Sequence, residues 1–182
     1  RDILLQLMET TFGTSVPALR CVQSFLAERS FRVAFRGCLS DVIALICGVP
    51  QGSVLGPLLL LYTAELFDVV HANGFIINCY ADDGQLYVSN PATEAIDIAK
   101  QFSQCADATE DWMRSHRLRL NPQKTQLIWI GSRQQLSKLT VSDIRLSTAV
   151  VETDSTVRDL GVVLDSHLTM TKHVSSVCQS GY

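Results

Sequence analysis

Apolar residues recur at helical spacing in several parts of the chain. Near its start, Ile3, Leu4, Leu7 and Met8 share one helical face, and Gly13 follows as a stop signal. The same spacing, bounded by proline and glycine, predicts further helices downstream. We expect helices over residues 2–12, 16–29, 58–72 and 93–115, and a helical pattern resumes at residue 171.

Short runs of β-branched and aromatic residues, some with alternating polar positions, predict the strands. They fall at residues 31–35, 42–47, 75–80, 85–89 and 125–130, with a hairpin over 141–151 and a strand pair over 157–164 interrupted by Gly161. The Asp83-Gly84 step is a strong hairpin signal. Because strands and helices interleave irregularly, the order favours an α+β fold over a doubly wound parallel sheet. We expect one domain.

Composition agrees with a folded globular chain. Of its 182 residues, 47% are hydrophobic and 18% are charged. The formal net charge is −3 and the pI is near 5.8. Enzymes that act on nucleic acids are often basic, so this balance counts against such a function. It does not exclude one, because a site that holds metal ions with carboxylates need not be basic overall.

The cysteines and the apolar runs indicate an intracellular protein without a disulfide framework. Six cysteines occur without a CxxC pair, mostly inside apolar runs, and are expected to be buried reduced thiols with no disulfide partner. No targeting signal is visible, which is typical of a protein of the cytoplasm or nucleus. The most apolar stretch, residues 54–70, contains Pro57, Glu65 and Asp68, so we expect a buried helix and no membrane span.

The paired carboxylates Asp82 and Asp83 are the main chemical feature. Two adjacent carboxylates at a hairpin tip can hold divalent cations beside a cleft, and magnesium prefers such oxygen ligands. Two cations can then support an in-line phosphoryl transfer. The alternative is a plain solvated turn, since aspartate is a favoured turn residue.

A glycine- and proline-rich loop precedes these carboxylates. Residues 48–57 read Gly-Val-Pro-Gln-Gly-Ser-Val-Leu-Gly-Pro, a composition that turns the backbone sharply and lets a ligand approach the main chain. The alternative is an ordinary loop that caps the following helix.

Taken in order, these motifs resemble the reverse transcriptases of non-LTR (LINE-type) retrotransposons. The loop at 48–57 and the Tyr80-Ala81-Asp82-Asp83 hairpin are followed by two similar blocks, at residues 112–125 and 160–165. Ser24-Phe25-Leu26, with Arg29 and Val33, is similar to the stretch that precedes the loop in that family. The resemblance therefore runs along most of the chain.

The resemblance implies a fold and its organisation. We expect a reverse-transcriptase palm, an antiparallel sheet with helices packed on one face, that lacks its first catalytic strand and the fingers and has only the start of the thumb. Residues 1–47 would be connecting helices and strands, and residues 48–132 would hold the loop, the hairpin and the helix and strand after them. Residues 133–182 would be primer-grip-like strands and the start of the thumb.

The resemblance also implies roles for individual residues. Asp82 and Asp83 would be catalytic and would bind two magnesium ions, with manganese as the alternative metal. Lys124 would assist the pyrophosphate leaving group. Three further sets would contact the RNA template, the DNA primer and the dNTPs: Pro50, Gln51, Gly52 and Ser53 at the template base and nucleotide, Tyr80 and Ala81 beside the primer end, and Leu160, Gly161 and Val162 at the primer.

Several alternatives stay open at this point. Lys124 is also compatible with a solvated turn lysine, and the basic set Arg114, Arg117, Arg119, Lys124, Arg133 and Lys138 with a plain exposed face rather than a phosphate track. Trp112 and Trp129 fit a core better than a base-stacking surface, and His116 is expected at the surface. Because the third carboxylate of the family lies on a strand expected before residue 1, we expect residues 1–182 alone to be inactive. A truncated inactive remnant and a non-catalytic nucleic-acid-binding module are the other candidate functions.

Overall fold

The computed structural model describes residues 2–46, 48, 56–146 and 149–181. The chain is divided into two compact units. The first consists of Arg1–Phe67 and Cys79–Gly84, and the second consists of Asp68–Asn78 and Gln85–Tyr182. Among the described residues, no helix combines the length and the apolar character that crossing a lipid bilayer requires.

The first unit begins with two packed helices, α1 (Asp2–Thr10) and α2 (Val16–Leu26). Leu7 and Met8 on α1 are buried, as the apolar spacing predicted. Helix α2 ends three residues before the predicted bound at Arg29. The reason is local, because Ala27 is extended, with a φ of −77° and a ψ of 145°, and Glu28 follows with a φ of 50°.

A narrow antiparallel ribbon follows α2. Its outer part pairs β2 (Ala34–Phe35) with β3 (Cys38–Leu39), and its base pairs β1 (Ser30–Phe31) with β4 (Ile43–Ala44). Arg36 and Gly37 form the tip, and both have a positive φ, the geometry of the two-residue turns that match strand twist. The ribbon residues are exposed, so it contributes little to the core.

The predicted helix over residues 58–72 is two helices. Helix α3 (Gly56–Tyr62) packs against α1, and α4 (Ala64–Ala72) begins after a break at Thr63. The Thr63 hydroxyl donates a hydrogen bond of 3.3 Å to the Leu60 carbonyl, a local bond that competes with the helix ladder.

The second unit is organised around one long helix. The strands β5 (Ile76–Tyr80) and β6 (Asp83–Tyr87) pair as a hairpin, whose end, Cys79–Gly84, is grouped with the first unit. A 3₁₀ turn leads from β6 into α5 (Ala95–Ser115). Before β5, Gly74 has a φ of 81°, and a Cβ there would lie 2.9 Å from the Gln101 amide nitrogen of α5. The same amide donates a hydrogen bond to the Asn73 carbonyl, so only glycine fits this turn.

A three-stranded sheet packs on α5. Its strands are β7 (Leu127–Ile128), β8 (Asp143–Leu146) and β9 (Ala149–Asp154), in the order β7-β9-β8. The β8–β9 pair is antiparallel and the β7–β9 pair is parallel. Between β7 and β8 lies α6 (Arg133–Leu136), which was not predicted although its capping box, Ser132 with Gln135, is visible in the sequence.

The last part of the second unit is a hairpin and a helix. Strands β10 (Thr156–Asp159) and β11 (Val162–Asp165) are antiparallel, and α7 (Thr171–Ser180) packs on β11. Both features were predicted, the hairpin from the Gly161 interruption and the helix from the pattern that begins at residue 171.

The core of the second unit lies between α5 and the three-stranded sheet. Ala106 on α5 packs with Ile144 and Leu146 of β8, whose alternate residues face the helix. Phe102 of α5 also meets the ring of Phe75 edge-on, with centroids 5.2 Å apart. Helix α5 therefore supports both the sheet and the segment that enters β5.

The α+β prediction is confirmed in its coarse form, as mixed helices and small, mainly antiparallel sheets. We expected one antiparallel sheet, whereas the strands of the described residues form five small sheets. Three of the cysteines expected to be buried, Cys21, Cys38 and Cys178, are exposed, because α2, the ribbon and α7 leave those positions uncovered.

The alternation of β5 yields a direct test of its register. Ile77 is 4% exposed and its neighbour Ile76 is 48% exposed. We expect Ile77→Ala to lower the free energy of unfolding by about 3 kcal/mol, because it removes buried methyl groups and leaves a cavity. Ile76→Ala, the matched control in the same strand, should cost less than about 1 kcal/mol. Urea denaturation followed by tryptophan fluorescence measures both, and equal losses would contradict the register.

Candidate functional site

The paired aspartates lie at the tip of the β5–β6 hairpin. The turn has two residues, Ala81 and Asp82, and Asp83 is the first residue of β6. The predicted turn at Asp83-Gly84 is therefore displaced by two residues along the chain. Ala81 has a φ of 55°, at the first central position of a hairpin turn, where a positive φ is typical of type II′ geometry. Tyr80, Asp82 and Asp83 are all exposed, so both carboxylates face solvent.

The other face of the hairpin is packed. Ile77 and Cys79 alternate with exposed residues along β5, and the Cys79 sulfur lies 3.7 Å from where a Cβ on Gly84 would be. Burial raises the pKa of the Cys79 thiol above its ordinary value. The thiol therefore stays protonated at neutral pH, as a packing group rather than a nucleophile. Because Cys79 is packed and protonated, the charged groups exposed at the tip are the carboxylates of Asp82 and Asp83.

The donor set at the tip suits a hard divalent cation. Magnesium is bound in proteins through one or two carboxylates, and it keeps waters and substrate phosphates as its other ligands. Asp82 and Asp83 supply two such carboxylates on adjacent residues. Across the residues that the structure describes, no cluster of three or more histidine, cysteine or acidic side chains is placed to hold a metal. Among the described residues, the two carboxylates therefore do not belong to a larger cluster of metal-binding side chains.

Lys124 lies in a tight turn that Asn121 organises. The Asn121 carbonyl accepts hydrogen bonds from the Lys124 amide at 3.1 Å and from the Thr125 hydroxyl at 3.0 Å. Its side-chain oxygen accepts a further bond from the Gln123 amide at 3.2 Å. The Lys124 side chain is exposed. The turn thus presents a cation on a defined backbone just before β7.

Leu160 and Gly161 form the two-residue turn of the β10–β11 hairpin, and Val162 begins β11. Leu160 has a φ of 44° and Gly161 a φ of 88°, and a positive φ at both central residues is the type I′ pattern. Asp159 and Val162 pair directly across the hairpin at the base of the turn. The three predicted primer-contacting residues therefore lie together at the end of one hairpin, two in its turn and one at the start of β11.

Two glutamines connect these predicted site segments, and sequence reasoning did not identify either one. The Gln85 amide in β6 donates a hydrogen bond of 2.6 Å to the Asp159 carboxylate in β10. The Gln126 side-chain oxygen accepts a hydrogen bond of 3.1 Å from the backbone amide of Arg158, which precedes Asp159 in β10. The contacts span 74 and 32 positions of sequence. No local sequence pattern predicts either contact, because each one depends on which distant segment the fold places beside β10.

Asp165 organises the corner between β11 and α7. Its carboxylate accepts hydrogen bonds from the amides of His167, Thr169 and Met170 and from the Thr169 hydroxyl, at 2.9–3.1 Å. These bonds, led by that from the Thr169 amide, hold the pKa of Asp165 below its ordinary value. Sequence reasoning included Asp165 in a family block but assigned it no role.

The predicted basic surface is only partly free to bind a phosphate backbone. Arg114 on α5 forms ion pairs of 3.2 Å with Glu110 and with Asp111. Its charge therefore contributes to a mixed exposed face, one of the two alternatives that the sequence left open.

His116, expected at the surface, is half-buried and stacks on Trp112 with ring centroids 4.1 Å apart. The stacking follows from their spacing of four residues at the end of α5.

Pro50, Gln51, Gly52 and Ser53 lie outside the described residues. Their predicted role at the template base and the nucleotide therefore stays a prediction.

Paired, exposed carboxylates can bind the divalent cations that proteins use in phosphoryl transfer. Comparison with known proteins specifies the family. Residues 4–164 match the family model described as reverse transcriptase (RNA-dependent DNA polymerase). This chain belongs to the reverse transcriptase family, which confirms the resemblance drawn from the motifs.

Curated relatives come from Drosophila transposons. The chain is 32% identical over 173 residues to the probable RNA-directed DNA polymerase from transposon BS of Drosophila melanogaster, which covers 91% of this chain and 18% of that protein. It is 28% identical over 167 residues to the RNA-directed DNA polymerase from mobile element jockey of the same species, covering 87% and 17%. The probable RNA-directed DNA polymerase from transposon X-element, also of that species, is 30% identical over 165 residues, covering 88% and 17%.

The chain thus spans less than a fifth of the length of these relatives. No solved structure matches it.

The Asp165 corner predicts a dependence of stability on pH. Because hydrogen bonds lower the pKa of the folded carboxylate, its ionised form stabilises the fold above the ordinary aspartate range. That stabilisation should disappear as the pH falls through the lower folded pKa. We expect Asp165→Asn to lower the melting temperature at neutral pH, because its amide group cannot accept the bonds made to one of the two oxygens.

The difference in melting temperature between Asp165→Asn and the wild type should shrink at low pH, as the pH falls through the lowered pKa of the folded carboxyl and the wild-type side chain also becomes protonated. Asp107→Asn, at an exposed position of α5, is the matched control and should change little at either pH. A deficit for Asp165→Asn that is the same at both pH values would argue against this role.

Proposed function

We propose that this chain is the palm-containing part of an RNA-directed DNA polymerase encoded by a non-LTR retrotransposon. The observation that carries the proposal is the Tyr80-Ala81-Asp82-Asp83 hairpin, whose two-residue turn exposes both carboxylates. The names of the Drosophila relatives support it. The reaction is the transfer of a nucleotide from a dNTP to a primer 3′-hydroxyl opposite an RNA template.

Asp82 and Asp83 hold the divalent cations, magnesium or manganese. When bound, such ions neutralise charge on the phosphates and stabilise the attacking and leaving oxygens. The two carboxylates fit this task because they are adjacent, exposed and backed by a packed strand face. Membership of the family implies a third carboxylate in the metal site. We propose that it lies outside residues 1–182.

Other residues of the chain position the substrates. Tyr80 and Ala81 lie beside the primer end, and Pro50, Gln51, Gly52 and Ser53 contact the template base and the incoming nucleotide. Leu160, Gly161 and Val162 hold the primer through the rigid β10–β11 turn. Holding both reactants in register accounts for much of catalysis in such reactions, since no covalent intermediate is required.

Lys124 stabilises the pyrophosphate leaving group. A lysine ammonium is a compact charge with three donors, suited to phosphate oxygens. The Asn121 turn supports this role, because it holds the lysine backbone in place while its side chain remains exposed.

In this proposal, residues 1–182 form one palm domain with three segments, at 1–47, 48–132 and 133–182. The two compact units cut across these segments. The protein acts inside the cell, on template RNA, primer DNA and dNTPs.

The metal-binding role of Asp82 is tested by substitution in the full-length polypeptide that contains this chain. We expect Asp82→Asn to lower primer extension on an RNA template by about a thousandfold, because an amide loses the charge that holds the cation. A primer-extension assay with magnesium measures the rate. Asp107→Asn is the control and should keep wild-type activity. Retention of full activity by Asp82→Asn would refute the proposed function.

The isolated chain provides a second test. We expect purified residues 1–182 not to extend a primer in magnesium, because two of the three expected carboxylates do not complete the metal site. The same assay measures this, with the full-length polypeptide as the positive control. Extension by the isolated chain that disappears in Asp82→Asn would show that residues 1–182 suffice.

A further inference from the structure

We propose that Gln85 is a positioning residue for nucleotide transfer, acting through its hydrogen bond to Asp159. The bond fixes the β10–β11 hairpin, which carries the Leu160-Gly161 turn, against β6, the strand that begins with Asp83. This inference rests on the proposed function, because it assigns a task within the same reaction.

The geometry of the Gln85–Asp159 bond suits a fixed connection. The donor–acceptor distance is 2.6 Å, slightly shorter than ordinary N–H···O bonds, the acceptor is a carboxylate, and both residues are half-buried. The carboxylate of Asp159 can only accept this hydrogen bond, so the amide of Gln85 must donate it. The direction of the bond can be reversed only by changing both residues. Partial burial limits competition from water.

The position of Asp159 determines what the bond controls. Asp159 is the last residue of β10, paired with Val162 across the hairpin, so the Leu160-Gly161 turn follows it immediately. That turn has a defined geometry, with φ positive at both central residues. Because the hairpin is stiff at this end, holding Asp159 also holds the turn.

The position of Gln85 determines what the turn is aligned with. Gln85 is two residues after Asp83 in the same strand, so it lies on the same face of β6 as Asp83. A displacement of β10 relative to β6 would therefore move the predicted primer-contacting turn away from the strand that carries a predicted metal ligand.

A second contact supports the same strand. Gln126, two residues after Lys124, accepts a hydrogen bond from the Arg158 amide, next to Asp159 in β10. Strand β10 is therefore attached both to the carboxylate strand and to the segment that carries Lys124. Side chains outside the reacting groups thus connect β10 to two neighbouring segments of the second unit.

Reversing the polarity of the bond tests the proposal in the full-length polypeptide. Gln85→Glu replaces the donor with a carboxylate that opposes Asp159. Asp159→Asn keeps an oxygen acceptor for the Gln85 amide. The double variant Gln85→Glu/Asp159→Asn restores a hydrogen bond in the opposite direction, from the amide introduced at position 159 to the carboxylate introduced at position 85. It carries the same net charge as the wild type.

The measurement is single-nucleotide incorporation with a primer annealed to an RNA template, observed before the first turnover ends. Its burst amplitude counts active enzyme, and its burst rate reports alignment at the site. We expect Gln85→Glu to reduce the burst rate by about tenfold or more, since small misplacements of reacting groups are costly. Asp159→Asn and the double variant should stay within about threefold of the wild type.

A purely structural role would change the burst amplitude and the melting temperature and leave the burst rate of the folded fraction unchanged. Gln104→Glu and Asp107→Asn are matched controls at exposed positions of α5 and should behave as the wild type. If Gln85→Glu does not fold, Gln85→Met removes the donor without adding charge and carries the same expectation for the rate.

Two results would overturn the inference: a wild-type burst rate in Gln85→Glu or Gln85→Met, or a double variant as slow as Gln85→Glu alone. Either of these, combined with an active wild type and an inactive Asp82→Asn, defeats the inference and leaves the proposed function standing. A wild-type polypeptide that incorporates no nucleotide would instead defeat the proposed function.

Discussion

The packing of β5 against the interior is the constraint on which the candidate site depends. Phe75, just before the strand, meets Phe102 of α5 edge-on, and Ile77 is buried one pleat further along. Because side chains alternate across a strand, burying Ile77 directs its neighbours outward, and the strand ends at the exposed Tyr80. Apolar burial along β5 thus determines which face of the strand leading to the carboxylates is exposed.

Short turns with defined backbone geometry present the remaining candidate groups. Ala81 and the Leu160-Gly161 pair adopt positive φ values in two-residue turns, and Asn121 closes the turn that carries Lys124. Such turns are stiff because each of their few residues is held in a narrow conformational range. Long-range hydrogen bonds from Gln85 and Gln126 then set how β10 lies against the neighbouring segments. Within the second unit, stiff turns and the two long-range hydrogen bonds together specify how β10 lies.

Local patterns predicted the elements better than their ends. The helices at α1 and α5 and the hairpins at β8–β9 and β10–β11 followed from periodicity and from turn residues. The end of α2 at Leu26, the break at Thr63 and the displaced hairpin turn depend on backbone conformations at single residues. Several side chains can adopt these conformations, so composition alone does not reveal them. The exposed cysteines illustrate a related failure, because an apolar run predicts burial only where another element covers it.

The sequence by itself determined the family, the identities of Asp82, Asp83 and Lys124 as candidate site residues, and the α+β class. These depend on residue types at short spacing, which a single chain displays directly. Only the tertiary structure decided that Ile77 is buried, that both carboxylates are exposed at a two-residue turn, and that Gln85 meets Asp159. That last contact joins residues 74 positions apart. Its formation depends on how α5, the three-stranded sheet and the last hairpin pack, and packing is a property of the whole folded chain rather than of any local segment.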